Sequence, residues 1–254
     1  MRSPARPQTP CSRHDDGDGG PGLRLTETAA YAAQGLDQAA QSKLAALGEI
    51  ILKSGFNVTS ISDPQEIERI HFLDSLSLLS IPCFAAARSI VDVGSGAGLP
   101  ALVLAIALPA EIFAVESQQK KCDFIERAAE ELSLRNVTVH CLRAEEYGRG
   151  PGREAHAVAV SRALAALPVV VEYSVPLLAV GGCMVAMKGA ISDQERIQAE
   201  KALGILGGGS LESVRLQPFP DAQNRWAYVA RKTRPTPSGF PRRTGIPAKR
   251  PLGG

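Results

Sequence analysis

The stretch "IVDVGSGAGLP", Ile90 to Pro100, passes from a β-branched apolar run into three glycines, Gly94, Gly96 and Gly98, and then into an Ala/Leu-rich segment. A strand that ends in glycines and enters a helix lets the backbone approach a nucleotide-like ligand at a helix N-terminus. The spacing excludes two common fingerprints. A dinucleotide turn needs G-x-G-x-x-G, and a P-loop needs G-x-x-x-x-G followed by Lys and Ser or Thr. Here the pattern is G-x-G-x-G, with Asp92 two residues before Gly94. A second signal follows in "EIFAVES", which places Glu116 at the end of the next strand, 18 residues after Gly98. A carboxylate there can accept both hydroxyls of a ribose, as in doubly wound nucleotide sites.

Outward from this turn, short apolar runs alternate with helical segments. Strands are expected near 89–93, 111–115, 137–142, 156–161, 182–188, 211–217 and 226–231, and helices over 99–108, 118–133, 164–178 and 192–206. Such alternation builds a mostly parallel sheet covered on both faces. Only "PFPDAQNR" separates the last two strands, so they form an antiparallel pair. Upstream, Leu44, Leu47, Ile50 and Ile51 fall at helical spacing within the Ala/Leu-rich 27–53. A further helix is expected over 63–79, with Asp63 as N-cap, Pro64 at the first position and Glu66 completing a capping box. Residues 1–24 are rich in Pro, Gly and charge and read as a disordered tail. The expected division is therefore a tail (1–24), a helical segment (25–85), an α/β core (86–232) and a basic C-terminal tail (233–254).

The 254 residues are 44% hydrophobic and 21% charged, a globular composition. The longest nearly apolar run, Ala97 to Ala110, is short of the ~20 residues of a membrane helix, and neither export nor insertion is expected. Five cysteines without a CxxC pair, and four histidines without ligand spacing, point to reduced thiols, a cytoplasmic setting and no metal. The net charge of +2 conceals an asymmetry: residues 225–254 hold eight Lys/Arg and no acid, while the remaining 224 hold 20 Lys/Arg against 26 Asp/Glu, a balance of −6. A basic end on an acidic body suits a phosphate-bearing partner, or else a solubilising tail.

D-x-G-x-G-x-G resembles the first motif of the class I S-adenosylmethionine-dependent methyltransferases. That resemblance implies a Rossmann-like fold with a mostly parallel seven-stranded sheet, an antiparallel last strand and added N-terminal helices. Seven further segments, in order over 56–252, are similar to one family. They are "FNVTSISDPQEIERIHFLDSLSLL", "IVDVGSGAGLPALVLAI", "VESQQKKCDFIERAAEELSLRNVTV", "AEEY", "AVAVSRALAALPVVVEYSVPLLAVGG", "MVAMKG" and "FPRRTGIPAKRPL". The family is the glucose-inhibited division protein B family of 16S rRNA N7-guanine methyltransferases. Two departures stand out: "SGFNVTS" replaces the usual Trp-Asn context, and Ile70 stands where the family has Arg before His71.

The resemblance implies S-adenosylmethionine as cofactor, held by Gly94, Gly96, Gly98, Leu99, Glu116, Ala144, Glu145 and Arg162. It implies 16S rRNA, free or in the 30S subunit or an assembly intermediate, as substrate, with guanine 527 of the 530 loop as target and a monomer as the working form. Arg162, after the fourth strand, is expected at the reacting end of the site; the alternative is a surface Arg capping the next helix. His71, Lys188, Arg242 and Arg243 are candidate RNA contacts, with Phe240 and Trp226 as possible stacking surfaces. His71, Asp74 and Ser75 share a helical face that forms either a lid over RNA or a purely structural contact. Guanine N7 has an in-plane lone pair, so methylation there needs alignment and electrostatics rather than a general base. No [ND]-P-P-[YFW] motif and no Pro-Cys pair follows the fourth strand, which agrees. The competing classes are a non-catalytic RNA-binding assembly protein and a small-molecule methyltransferase.

Overall fold

The computed structural model describes residues 23, 25–54 and 63–254. The tail expected over 1–24, Leu23 apart, and the "GFNVTSIS" stretch lie outside the described residues. Seven strands form one sheet in the order β3-β2-β1-β4-β5-β7-β6: β1 Ser89–Val93, β2 Glu111–Glu116, β3 Val137–Cys141, β4 His156–Arg162, β5 Leu178–Lys188, β6 Glu212–Arg215 and β7 Trp226–Arg231. β1 to β5 pair in parallel, and β7 runs antiparallel to both β5 and β6. The class I architecture expected from the sequence is therefore present. What the local pattern did not contain is the insertion of β7 between β5 and β6.

Neighbouring residues along a strand point to opposite faces, and here they feed two separate apolar cores. Ile90, Val158 and Val185 belong to one; Val91, Ala159, Met184 and Ala186 belong to the other. The first core is covered by α1 Thr28–Ala33, α2 Gln38–Leu52, the helical run 64–80, α5 Ala101–Ala107 and α6 Gln119–Glu131. The second lies under α7 Ala144–Arg149, α8 Leu167–Ser174 and α9 Asp193–Leu206. α6 shows how composition sets its face: Cys122, Phe124, Ile125, Ala128 and Ala129 are buried, while the charged residues between them face outward. α9 begins at Ser192, whose hydroxyl accepts from the Glu195 N–H at 3.2 Å, and ends at Gly207 with φ +91°.

Several expected boundaries move for identifiable reasons. The Ala/Leu-rich stretch 27–53 is two helices, broken where Gly35 takes φ +80° and Asp37 caps α2 by accepting from Ala40 N–H at 2.8 Å. The helix expected over 164–178 starts at Leu167, with Pro168 in its first turn, and gives way to a 3-10 turn containing Pro176. β5 consequently begins four residues earlier than expected, at Leu178. The helix expected over 63–79 has its Asp63 cap, which accepts from Gln65 and Glu66 N–H groups. It is not uniformly α: α3 Pro64–Glu66 leads into a π-helical stretch, Ile67–Leu73, then α4 Asp74–Leu76 and a 3-10 turn.

The reduced state expected for all the cysteines is corrected at one pair: Cys122 and Cys141 form a disulfide with Cα atoms 5.9 Å apart. They are 19 residues apart in sequence, but β3 aligns Cys141 with Glu116 while α6 turns back over the sheet just after Glu116. That proximity is tertiary and leaves no trace in cysteine spacing. Cys183 is buried and free, as expected; Cys83 is free and half-buried.

The basic C-terminal segment folds back on the core. Arg149 and Arg153 donate to the carbonyls of Pro241 (2.8 Å) and Phe240 (2.6 Å), and short α10 Ile246–Lys249 follows. Lys232, 1% exposed, donates to Glu154 at 2.7 Å and to the Leu178 carbonyl at 2.8 Å. No helix among the described residues is long and apolar enough to cross a membrane.

Candidate active site

The sheet reverses direction of growth between β1 and β4, and in open α/β sheets ligands bind beyond the carboxyl ends of the strands at that point. The glycine turn lies there. Gly94, Gly96 and Gly98 have φ of +73°, +58° and +75°. The turn is tied to β2 by Gly94 and Ser95 N–H groups donating to the Val115 carbonyl at 2.8 and 3.1 Å. A Cβ on Gly94 would lie 2.4 Å from Leu164 Cδ1, whereas at Gly96 the nearest atom would be 3.9 Å away. Gly96 is thus needed for its backbone and for the open space above it.

Asp92 supports the turn from beneath. It is fully buried; Oδ2 accepts from the Ala101 N–H at 3.2 Å, and Oδ1 has no hydrogen-bond partner. Burial pushes its carboxyl up to about 7. Glu116 closes the side of the turn: Oε2 accepts from Gly96 N–H (3.0 Å), and Oε1 from Ser117 and Gln118 N–H groups (2.7 and 2.9 Å). Among the described residues Oε2 accepts the Gly96 hydrogen bond alone, which leaves its second lone pair for a ligand hydroxyl. Glu145, 3% exposed, accepts from the Gly245 N–H at 2.8 Å. Tyr173 stands beside it, its phenol pushed up to about 12 by burial and by Glu145.

These groups line a cleft of about 350 Å³, which includes Gly94, Gly96, Glu116, Ala144, Glu145 and Arg162. Gly98 and Leu99 are not on its walls: Leu99 is buried, and a Cβ on Gly98 would meet Leu102 Cδ1 at 2.7 Å, so their place is in packing the turn on α5. Cleft residues that sequence reasoning missed include Ala163, Leu164 and Tyr173. Ala163, a non-glycine at φ +49° directly after Arg162, marks a tight exit from β4 that no residue-type signal announces.

A second cavity of about 280 Å³ adjoins the first, and Arg162 and Ala163 line both. Arg162 Nη1 donates to the Ile70 carbonyl at 3.1 Å and lies 3.9 Å from Asp74 Oδ2; Nη2 is 3.4 Å from His71 Nδ1. The helix-capping alternative for Arg162 does not describe this geometry. His71 and Lys188 also line the cavity, with Asp74, Arg225 and Trp226. Burial and then the Arg162 charge push His71 down to about 4, so the ring is neutral near pH 7. Burial raises the Asp74 carboxyl pKa, opposed by Arg162 and Arg225. Lys188 donates to the Ala165 carbonyl at 2.6 Å and pairs with Glu195 at 3.3 Å. Arg242 is not at either cavity: its guanidinium is held by Glu172, with Nε to Oε1 at 2.9 Å. Arg243 is exposed. A further cavity of about 650 Å³, between α2 and α6, lies away from the glycine turn.

The family model for rRNA small subunit methyltransferase G matches residues 40–218. The chain belongs to this family. Curated members include the ribosomal RNA small subunit methyltransferase G of Desulfitobacterium hafniense, 42% identical over 199 residues and covering 77% of this chain and 82% of that protein. The Rubrobacter xylanophilus protein of the same name is 41% identical over 226 residues, covering 85% and 87%. Among solved structures, a putative S-adenosylmethionine-dependent methyltransferase of Methanococcus maripaludis superposes with a TM-score of 0.53 at 15% identity, covering 66% of this chain and 90% of that one. A tRNA (m1A58) methyltransferase of Aquifex aeolicus gives 0.52 at 15% identity, covering 74% and 76%. At such identities the structural likeness concerns the fold, whereas membership of the methyltransferase G family rests on the sequence match.

Proposed function

We propose that this protein transfers a methyl group from S-adenosylmethionine to N7 of a guanine in 16S rRNA, the family target at position 527 of the 530 loop. The observation that carries the reading is the pair of adjoining cavities that share Arg162 and Ala163 as a common wall. One has the features of a nucleoside-binding cleft at a sheet switch point, and the other is a separate chamber for an acceptor. The curated relatives named as small-subunit rRNA methyltransferases support the choice of acceptor.

When bound, S-adenosylmethionine supplies a methyl group on a positively charged sulfur, which a nitrogen lone pair can take in a single displacement. The chain's own residues bind and orient. Gly94 and Gly96 leave the turn open, Glu116 offers an acceptor to ribose hydroxyls, and Ala144 and Glu145 border the far end of the cleft. Arg162, anchored by the Ile70 carbonyl, fixes the wall between the chambers. His71, held neutral, adds no further positive charge beside it. No group needs to remove a proton, because N7 carries none, and alignment is the main contribution.

The test is methyl transfer from labelled S-adenosylmethionine to naked 16S rRNA and to 30S particles, followed by nucleoside analysis, for the native protein and for Gly94→Asp. Label in N7-methylguanosine, lost in the variant, is expected, because a side chain at position 94 is strained at φ +73° and must displace Leu164. Cofactor binding without label in either RNA substrate would favour the assembly-protein class instead.

A further inference from the structure

Asp74 borders the second cavity and not the cofactor cleft. The residue is 5% exposed, and its Oδ1 is buried without a hydrogen-bond partner. Arg225 Nε lies 3.3 Å from that oxygen, but the pair is not aligned as a hydrogen bond, and Nε is likewise buried without one. Arg162 approaches the other oxygen only to 3.9 Å. A buried carboxylate normally takes up its acceptor capacity within the fold, as Glu68 and Glu172 do here. Asp74 and Arg225 both line the chamber, and each holds one polar atom, side by side, that is buried and has no hydrogen bond among the described residues.

We infer that Asp74 selects guanine, its carboxylate accepting from the N1–H and N2–H groups of the base. This rests on the N7-guanine reading above. Guanine is the base whose Watson–Crick edge carries two adjacent donors followed by an acceptor. Adenine would turn the unprotonated N1 toward the carboxylate, and uracil has one donor flanked by two acceptors. An extruded base is commonly read along this edge. Held in this way, guanine keeps N7, on its Hoogsteen edge, clear of Asp74 and free to face the Arg162–Ala163 wall shared with the cofactor cleft. Asp74 is thus a specificity-determining residue, and its position also sets which nitrogen reacts.

The experiment uses 30S particles reconstituted from 16S rRNA with guanosine or inosine at the target position. Inosine keeps N7, O6 and N1–H and lacks only the 2-amino group. The native protein is expected to lose about 10- to 100-fold in kcat/KM on inosine, the range for one hydrogen bond to a charged group. In Asp74→Asn the two substrates are expected to converge to within about threefold, because removing the amine and removing the carboxylate delete the same interaction. Calorimetric titration with S-adenosylmethionine checks that the variant is folded. Asp74→Glu, which keeps the charge but displaces it, replaces it should it prove unstable, and must lose discrimination too. Equal rates of the native protein on both particles would overturn the inference without any variant, as would a folded variant that kept full discrimination. Failure to methylate the guanosine particle would instead refute the activity itself.

Discussion

Asp92 lies beneath the glycine turn with no exposed surface and one oxygen that meets no donor. Its carboxyl rises from an ordinary 3.8 to about 7 on burial. Between those values the folded protein holds a proton that the unfolded chain has released, so stability falls as pH rises across that window. Asp92→Asn keeps a carbonyl oxygen for the Ala101 N–H and cannot ionise. Melting temperature measured from pH 5 to 8 should therefore fall less steeply in the variant than in the native protein; parallel curves would contradict the assignment. The turn, Glu116 and Arg162 were legible in the sequence because each combines a residue type with a position on a strand end. Arg225 was not. It reaches Asp74 only because β7 enters the sheet beside β5, a pairing across some 150 residues of chain that no local pattern encodes.

At the scale of elements, the run from Pro64 to Ser80 carries more than its capping residues suggested. Its π-helical stretch buries Glu68, whose carboxylate accepts from the Thr26 and Glu27 N–H groups, each at 2.9 Å, and from the Thr26 hydroxyl at 2.6 Å. α1 has no cap from its own N-cap side chain, so Glu68 supplies from another helix what Glu27 does not. Glu68→Gln would turn an NH₂ group toward these donors. The expected result is a loss of about 1–3 kcal/mol in denaturant unfolding, with faster amide exchange at Thr26 and Glu27. The capping signals placed this helix but could not show the π register, since they fix where a helix starts and not which hydrogen-bonding pattern follows. The break at Gly35 was masked in the same way by good helix formers on both sides.

Over the whole molecule, the basic end is both charge and structure. Lys232 is enclosed and Arg242 is clasped by Glu172, a residue with no exposed surface, while Arg231, Arg234, Arg243, Lys249 and Arg250 remain exposed. A chain ending at Lys232 would leave the Glu172 carboxylate buried without its partner and Glu145 without the Gly245 N–H. Stripping one partner from a buried pair costs about 3–5 kcal/mol. Calorimetric unfolding should accordingly show a marked fall in melting temperature for this truncation, and an unchanged value would mean that the segment only decorates the surface. Composition had revealed the charge of this segment, but two readings, partner-binding end or solubilising tail, were equally consistent with it. Neither anticipated a segment docked through its backbone carbonyls.

The position of β7 has a consequence for how the two chambers come into being. During synthesis the chain leaves the ribosome from its N-terminus, and β1 to β5, with the glycine turn, Glu116 and Arg162, are complete once residue 188 has emerged. β6 then has no edge to join, because its partner, β7, is still to be made. Arg225 and Trp226 complete the second cavity only when that seventh strand slots in, and Gly245 reaches Glu145 later still. A nascent chain can therefore shape the cleft at the glycine turn well before the second cavity exists, so the order of translation separates the two cavities in time.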